Sequence, residues 1–160
     1  MATAGASSAS PAAAGLDTSR LAHLVGYAAS RAALTLRKTF TRHMAALDLK
    51  VVEFSILMLV AQNPQVNQKQ LGQTLDISAP NMAVTLDRMV ERGWVERVRG
   101  TADRRAQHIH LTAQGARLVQ RAEKVAATME NPALGALSAA ERALLIELLM
   151  KVASGRTGRR

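Results

Sequence analysis

A chain of 160 residues is ordinary for a single domain with a real core, and its lack of cysteine excludes disulfides, thiolate metal sites, catalytic thiols and cysteine redox switches. Aromatic residues make up only 2% against a hydrophobic set of 48%, so the core must be built from Leu, Val, Ile, Ala and Met, which favours packed helices. The formal charge of +9, from 21 Lys plus Arg against 12 Asp plus Glu, suits a polyanionic partner such as nucleic acid.

Residues 1–15 are Ala, Ser and Gly with one Pro, with no cationic start and no continuous apolar run. They read as a disordered tail of a cytoplasmic protein, neither a signal peptide nor a membrane anchor. Asp17 or Thr18 is expected to cap a helix running to about Ala46, with Leu21, Leu24, Val25, Ala28, Ala32 and Leu36 on its packed side. Beside that side, His23, Tyr27 and Arg31 form a polar row at i, i+4 spacing. A second helix, Lys50 to Ala61, is nearly all apolar and therefore central, and Asn63-Pro64 ends it.

Asn67 to Gln70 has the spacing of a capping box and opens a short helix to about Leu75. Asp76-Ile77-Ser78 is a tight connection to the next helix, Ala79 to Arg92, entered through Ser78 and Pro80 and stopped by Gly93. Two helices so joined form a helix-turn-helix, whose second member can lie in a major groove. Trp94 to Arg99 and Gln107 to Leu111 alternate apolar and polar residues around the turn-rich Gly100 to Arg105, which makes a basic hairpin. Thr112 then caps a helix to about Met129, Asn131-Pro132 breaks it, and the Ser138 to Glu141 box starts a last helix. In that helix Leu144, Leu145, Leu148, Leu149 and Val152 form an apolar stripe. The fold class is thus mainly α: a winged helix-turn-helix at about 50–112, flanked by helices at about 17–46 and 113–153. All lie in one domain, 16–153, followed by a basic tail, 154–160.

On the second helix, Ser78 and Ala79 begin the face offered to DNA, and Asn81, Met82, Thr85 and Arg88 continue it. Asn suits adenine, Arg suits guanine or phosphate, and Thr and Met suit a thymine methyl. Val84, Leu86, Met89 and Val90 read as core, and Trp94 as a packing anchor. In the hairpin, Arg97, Arg99 and Arg104 are basic candidates, and Arg105 suits the negative potential of a narrow minor groove. Asp103 would orient a neighbouring arginine through a charge-assisted hydrogen bond.

The chain resembles the multiple antibiotic resistance regulator (MarR) family over roughly Leu16 to Ala153. The match is carried by Gln70-Leu71-Gly72, Leu75 and Ile77, then Val84, Leu86, Met89, Val90, Gly93, Trp94 and Val95. It is most specific at Asp103-Arg104-Arg105 with Leu111-Thr112 and Gly115, similar to the family's D-x-R wing and L-T-x-x-G exit. Gly100-Thr101-Ala102 departs from the acidic or proline-containing turn common in relatives.

The resemblance implies a homodimer, paired through the first and last two helices, that binds double-stranded DNA at a palindromic operator with half-sites about 10 bp apart. It also implies a small aromatic or phenolic acid effector in a crevice beside the dimerising helices. His23 and Arg31 would hold the acid, Tyr27 would line the ring, and Met44, Leu49 and Phe54 would supply apolar walls. The expected activity is that of a ligand-released repressor, with no cofactor and no membrane partner. No nucleophile elbow, phosphate loop or zinc-protease motif points to catalysis, so no catalytic residue is expected. Two other readings stand beside this one. One is a metal-responsive regulator using His23, His43, His108 and His110 with an acid such as Glu53, and the other is a nonspecific architectural DNA protein.

Overall fold

A computed structural model of the protein describes residues 16–99 and 107–155. They fall in two compact units, within Met1–Leu34 and Thr35–Arg160. Residues 1–15, 100–106 and 156–160 lie outside the described residues, and with them the expected N-terminal tail, the turn expected at Gly100 to Arg105 and most of the basic tail expected at 154–160, of which Ser154 instead belongs to the last helix.

The expected continuous helix is interrupted within the first unit, near its start, and its remainder runs on into the second. Helix α1 covers only Ser19–Ala22, and helix α2 begins at Val25 and runs to Met44. Thr18 is the N-cap by position, without a side-chain capping bond, while the Asp17 carboxylate accepts the Ser19 N–H at 2.9 Å, which holds the exposed acid below its ordinary pKa. The helix closes early because Leu24 N–H turns back to Leu21 O at 2.9 Å, an i to i−3 bond that tightens the chain out of α-helical register. Gly26, a poor helix former, stands just beyond the break. His23 is therefore the C-cap of α1, and only Tyr27 and Arg31 share the face of α2.

The second unit contains a 3₁₀ turn (Ala45–Leu47), helices α3 (Val51–Gln62), α4 (Gln68–Leu75), α5 (Ala79–Glu91), α6 (Ala113–Met129) and α7 (Ala139–Ser154), and strands β1 (Val95–Arg99) and β2 (Gln107–Leu111). Its core gathers Ile56, Leu57, Leu71, Met82, Leu86 and Met89 with Trp94, Val95, Ile109 and Leu118. Helix α3 is central, as its nearly all-apolar run requires. Glu53 is buried on it, accepting the Lys50 N–H at 3.0 Å as the helix cap.

The expected caps form. Asn67 and Gln70 exchange reciprocal hydrogen bonds at 2.9 and 3.0 Å, and Ser138 and Glu141 do the same at the start of α7. Those bonds from Ser138 lower the pKa of the exposed Glu141. The support they give α7 is present above the unfolded pKa of the acid and is lost as pH falls through the folded one.

Thr112 caps α6 by accepting the Gly115 N–H at 3.0 Å, while its hydroxyl donates to Gly93 O at 2.6 Å. One side chain thus joins the end of α5 to the start of α6. Thr112→Val keeps the shape and removes both bonds, and should cost about 2 kcal/mol in chemical denaturation, at the upper end for a lost cap.

Candidate nucleic-acid interface

The helix-turn-helix is closed by backbone geometry that its sequence demands. Asp76 ends α4 in the left-handed conformation, φ 53°, with its N–H on Gly72 O, and Ile77 N–H reaches the same carbonyl at 2.9 Å. A Cβ on Gly72 would meet Ile77 O at 3.0 Å, so glycine lets the turn close this tightly. Ser78 starts α5 through its backbone, its carbonyl accepting from Met82 N–H at 2.9 Å; its hydroxyl makes no capping bond.

At the other end of α5, Gly93 takes φ 67° and donates to Val90 O at 2.8 Å, while Trp94 N–H reaches Met89 O at 3.0 Å. This pair of bonds is a Schellman motif, which turns the chain directly into β1. Trp94 is buried beneath the Arg92 guanidinium, 3.7 Å from its ring centroid. Strands β1 and β2 pair antiparallel, with Arg97 opposite Ile109 and Arg99 opposite Gln107. The hairpin is fastened to the loop before α4 by Ile109 N–H to Val66 O at 2.8 Å and by His108 Nδ1 to Gln65 O at 2.7 Å.

The exposed face of α5 carries Asn81, Val84 and Arg88, with Ala79 and Ser78 at its start. Two sequence-based assignments change here. Met82 has no exposed surface, and Thr85 is 8% exposed with its hydroxyl donating to Asn81 O at 2.9 Å. Both belong to the buried face with Leu86 and Met89, so neither side chain is offered to a groove. A buried threonine is stable there because the carbonyl one turn back satisfies its hydroxyl. Conversely, Val84 is 58% exposed and Val90 36%, although both read as core. Val84 is an apolar side chain set between Asn81 and Arg88 on a polar face, suited to a thymine methyl. Its i+3 spacing from Asn81 and i−4 spacing from Arg88 were the signals for it.

Arg97 is also engaged. Its guanidinium pairs with Asp87 of α5 at 2.7 Å, tying the hairpin to the second helix of the motif. Arg99 is exposed at the end of β1. Asp103, Arg104 and Arg105 lie outside the described residues. On α4, Lys69 is an exposed cation that the sequence reading passed over; it lines a hollow with Gln73 and Ser78 at the mouth of the turn. A cation in the first turn of this short helix was the available signal.

Of the effector residues, Tyr27 is half-buried and Arg31 exposed in their own unit. Met44 and Leu49 are core residues of theirs, and Phe54 packs edge-on against Phe40 with ring centroids 5.4 Å apart. Met44 and Leu49, expected as apolar walls, are thus buried in the core of their unit. Among the described residues no three His, Asp or Glu side chains are placed to hold a metal ion. His43 Nδ1 is bonded to Thr39 O at 2.8 Å, and Glu53 is spent on its helix cap. No described helix is long and apolar enough to cross a membrane.

Comparison with known proteins agrees with this layout. The MarR family pattern matches residues 47–106. The transcriptional regulator HosA of Escherichia coli O157:H7 is 30% identical over 122 residues, covering 73% of this chain and 90% of HosA. The transcriptional repressor CouR, solved on a 23-mer DNA duplex, is 34% identical with a TM-score of 0.82, covering 88% of this chain and 99% of CouR. CouR bound to p-coumaroyl-CoA is 32% identical with a TM-score of 0.78, covering 90% of this chain and 100% of that one. With a capped helix-turn-helix, a glycine-terminated second helix and an anchored basic hairpin all in place, the chain belongs to the MarR family of transcriptional regulators.

Proposed function

We propose that this regulator is a sequence-specific DNA-binding repressor, acting as a homodimer on a palindromic operator and released by a small aromatic acid. The observation that carries the reading is the exposed row Asn81, Val84 and Arg88 on the second helix of a closed helix-turn-helix. One helical turn separates successive members, so all three address one groove. Arg99, Arg104 and Arg105 extend the contact toward the minor groove, and Ser78, Ala79 and Lys69 take backbone phosphates. Arg97 serves indirectly, by setting the hairpin against α5. The solved complex of CouR with a DNA duplex supports this reading.

A single motif of this size reads few base pairs, so affinity requires a second copy. Helix α7 has no buried residue, and its Leu, Ile, Met and Val side chains from Leu144 to Val152 are 37–69% exposed. Such an apolar helix is stable in water when a partner covers it. For the effector, Tyr27 and Arg31 share one face of α2 and offer a ring, a hydroxyl and a guanidinium to an aromatic carboxylate. The complex of CouR with p-coumaroyl-CoA supports an aromatic acid or its thioester as the ligand class. The effector favours a spacing of the two α5 helices that no longer fits successive major grooves.

The test is hydroxyl-radical footprinting of the DNA upstream of the protein's own gene. Two protected patches about one helical turn apart are expected. They should fade on adding p-coumarate or its coenzyme A thioester, and Arg31→Ala should keep the footprint while resisting release. Uniform weak protection of any duplex would instead identify a nonspecific DNA protein.

A further inference from the structure

A recess of about 240 Å³ opens in the larger unit between the end of α5, the root of β1 and the first half of α6. Arg92, Arg117 and Arg121 line it, with Gln114, Trp94 and Leu118. Arg117 and Arg121 stand one turn apart on α6, so their guanidinia share a face. Three and four residues to either side of them the helix carries Ala113, Gln114, Leu118, Gln120, Lys124 and Val125. There is no acid among these. Neither arginine forms an ion pair or hydrogen bond with another described residue. Like charges at this spacing weaken a helix, and a bound anion would relieve them.

Arg92 differs from the other two. It is locked in place by Asp48, with Nη2 at 2.8 Å from the carboxylate and Nη1 at 3.1 Å from the carbonyl, while its plane covers Trp94. Asp48 thus neutralises one of the three positive charges. Two uncompensated guanidinia remain beside the Gln114 amide, whose Nε2 lies 3.3 Å from Arg92 O.

We infer that this recess is an anion site that takes a phosphate or pyrophosphate group. Two free guanidinia match a dianion, and arginine forks suit phosphate oxygens. The volume is below the roughly 300–1,000 Å³ of pockets that enclose whole drug-sized ligands, so it receives a head group. Trp94 is buried under Arg92 and offers no open ring for a base to stack on. Arg117 and Arg121 are exposed at the rim of the recess, open to an anion from solvent. Because Arg92 caps α5 and Trp94 roots β1, the bound anion ties α6 to the end of the second helix of the motif. That last consequence rests on the proposed DNA reading; binding itself does not.

The test is isothermal titration of the full chain with inorganic pyrophosphate and, separately, with ADP. Pyrophosphate binding is expected for the wild type, weakened about tenfold or more in Arg117→Gln/Arg121→Gln and less in Arg121→Gln alone, and unchanged in Lys124→Gln. ADP binding as tight as pyrophosphate supports an organic phosphate as the ligand, and pyrophosphate alone supports a free anion. Melting of the ligand-free variants at or above the wild-type temperature confirms that they fold. Absence of binding at millimolar pyrophosphate, or equal binding by the double variant, overturns the proposal. So does a double variant that loses duplex affinity and salt dependence while binding pyrophosphate normally, since the arginines would then be DNA-backbone contacts.

Discussion

Gly115→Ala should destabilise the protein by about 3 kcal/mol and lower its melting temperature by roughly 10 °C. A Cβ built on Gly115 falls 1.9 Å from Trp94 O and 2.9 Å from Trp94 C, so a rigid backbone would have to move. That backbone is held from several sides. Trp94 O accepts the Thr112 N–H at 3.1 Å, Trp94 N–H is committed to Met89 O, and the indole is buried beneath Arg92. The damage therefore spreads to the end of α5 and the root of β1, the parts that aim the proposed contact residues. Gly135→Ala is the control, because its Cβ would meet Asn131 O at an ordinary 3.5 Å. Urea denaturation of both variants measures the difference; equal midpoints would mean that the α5 to α6 junction is not tightly packed.

Leu145→Glu with Leu149→Glu should convert the proposed homodimer to monomers, raising its dissociation constant by roughly a hundredfold or more. The two leucines lie one turn apart on a helix with no buried residue, so in the isolated chain the change exposes nothing new. In a dimer each glutamate would carry its charge into an apolar interface. Sedimentation equilibrium separates the cases. Monomers that keep wild-type far-UV circular dichroism would assign α7 to the interface, whereas unaltered dimers would place the interface elsewhere.

How much of this was legible beforehand depended on whether the signal was local. Gly93, the Asn67 and Ser138 boxes, Thr112 and the two Asn-Pro breaks act within a few residues, and each of them sits at the helix end or start it was expected to mark. The break at His23 was hidden, because the apolar spacing continues across it while the hydrogen bonds do not. The buried face of α5 was misjudged by one position because valine and threonine differ little in shape. A satisfied threonine can occupy the core, leaving Val84 outside. The Asp87–Arg97 pair and the Asp48 clamp on Arg92 join residues far apart in the chain, and no periodicity announces them. At the proposed DNA face, Asn81 and Arg88 are exposed, and Lys69 and Val84 join them although their local spacing signals were not used.

The central claim is that α5 and the hairpin read sequence. It is tested most directly by titrating labelled upstream DNA and a shuffled duplex of equal length against wild type, Asn81→Ala and Arg105→Ala at one salt concentration. The wild type should prefer the upstream fragment, and each variant should lose roughly 1–3 kcal/mol on it, about five- to a hundred-and-fiftyfold, with little change on the shuffled duplex. Wild-type affinity in both variants, or equal wild-type affinity for both duplexes, would contradict the account.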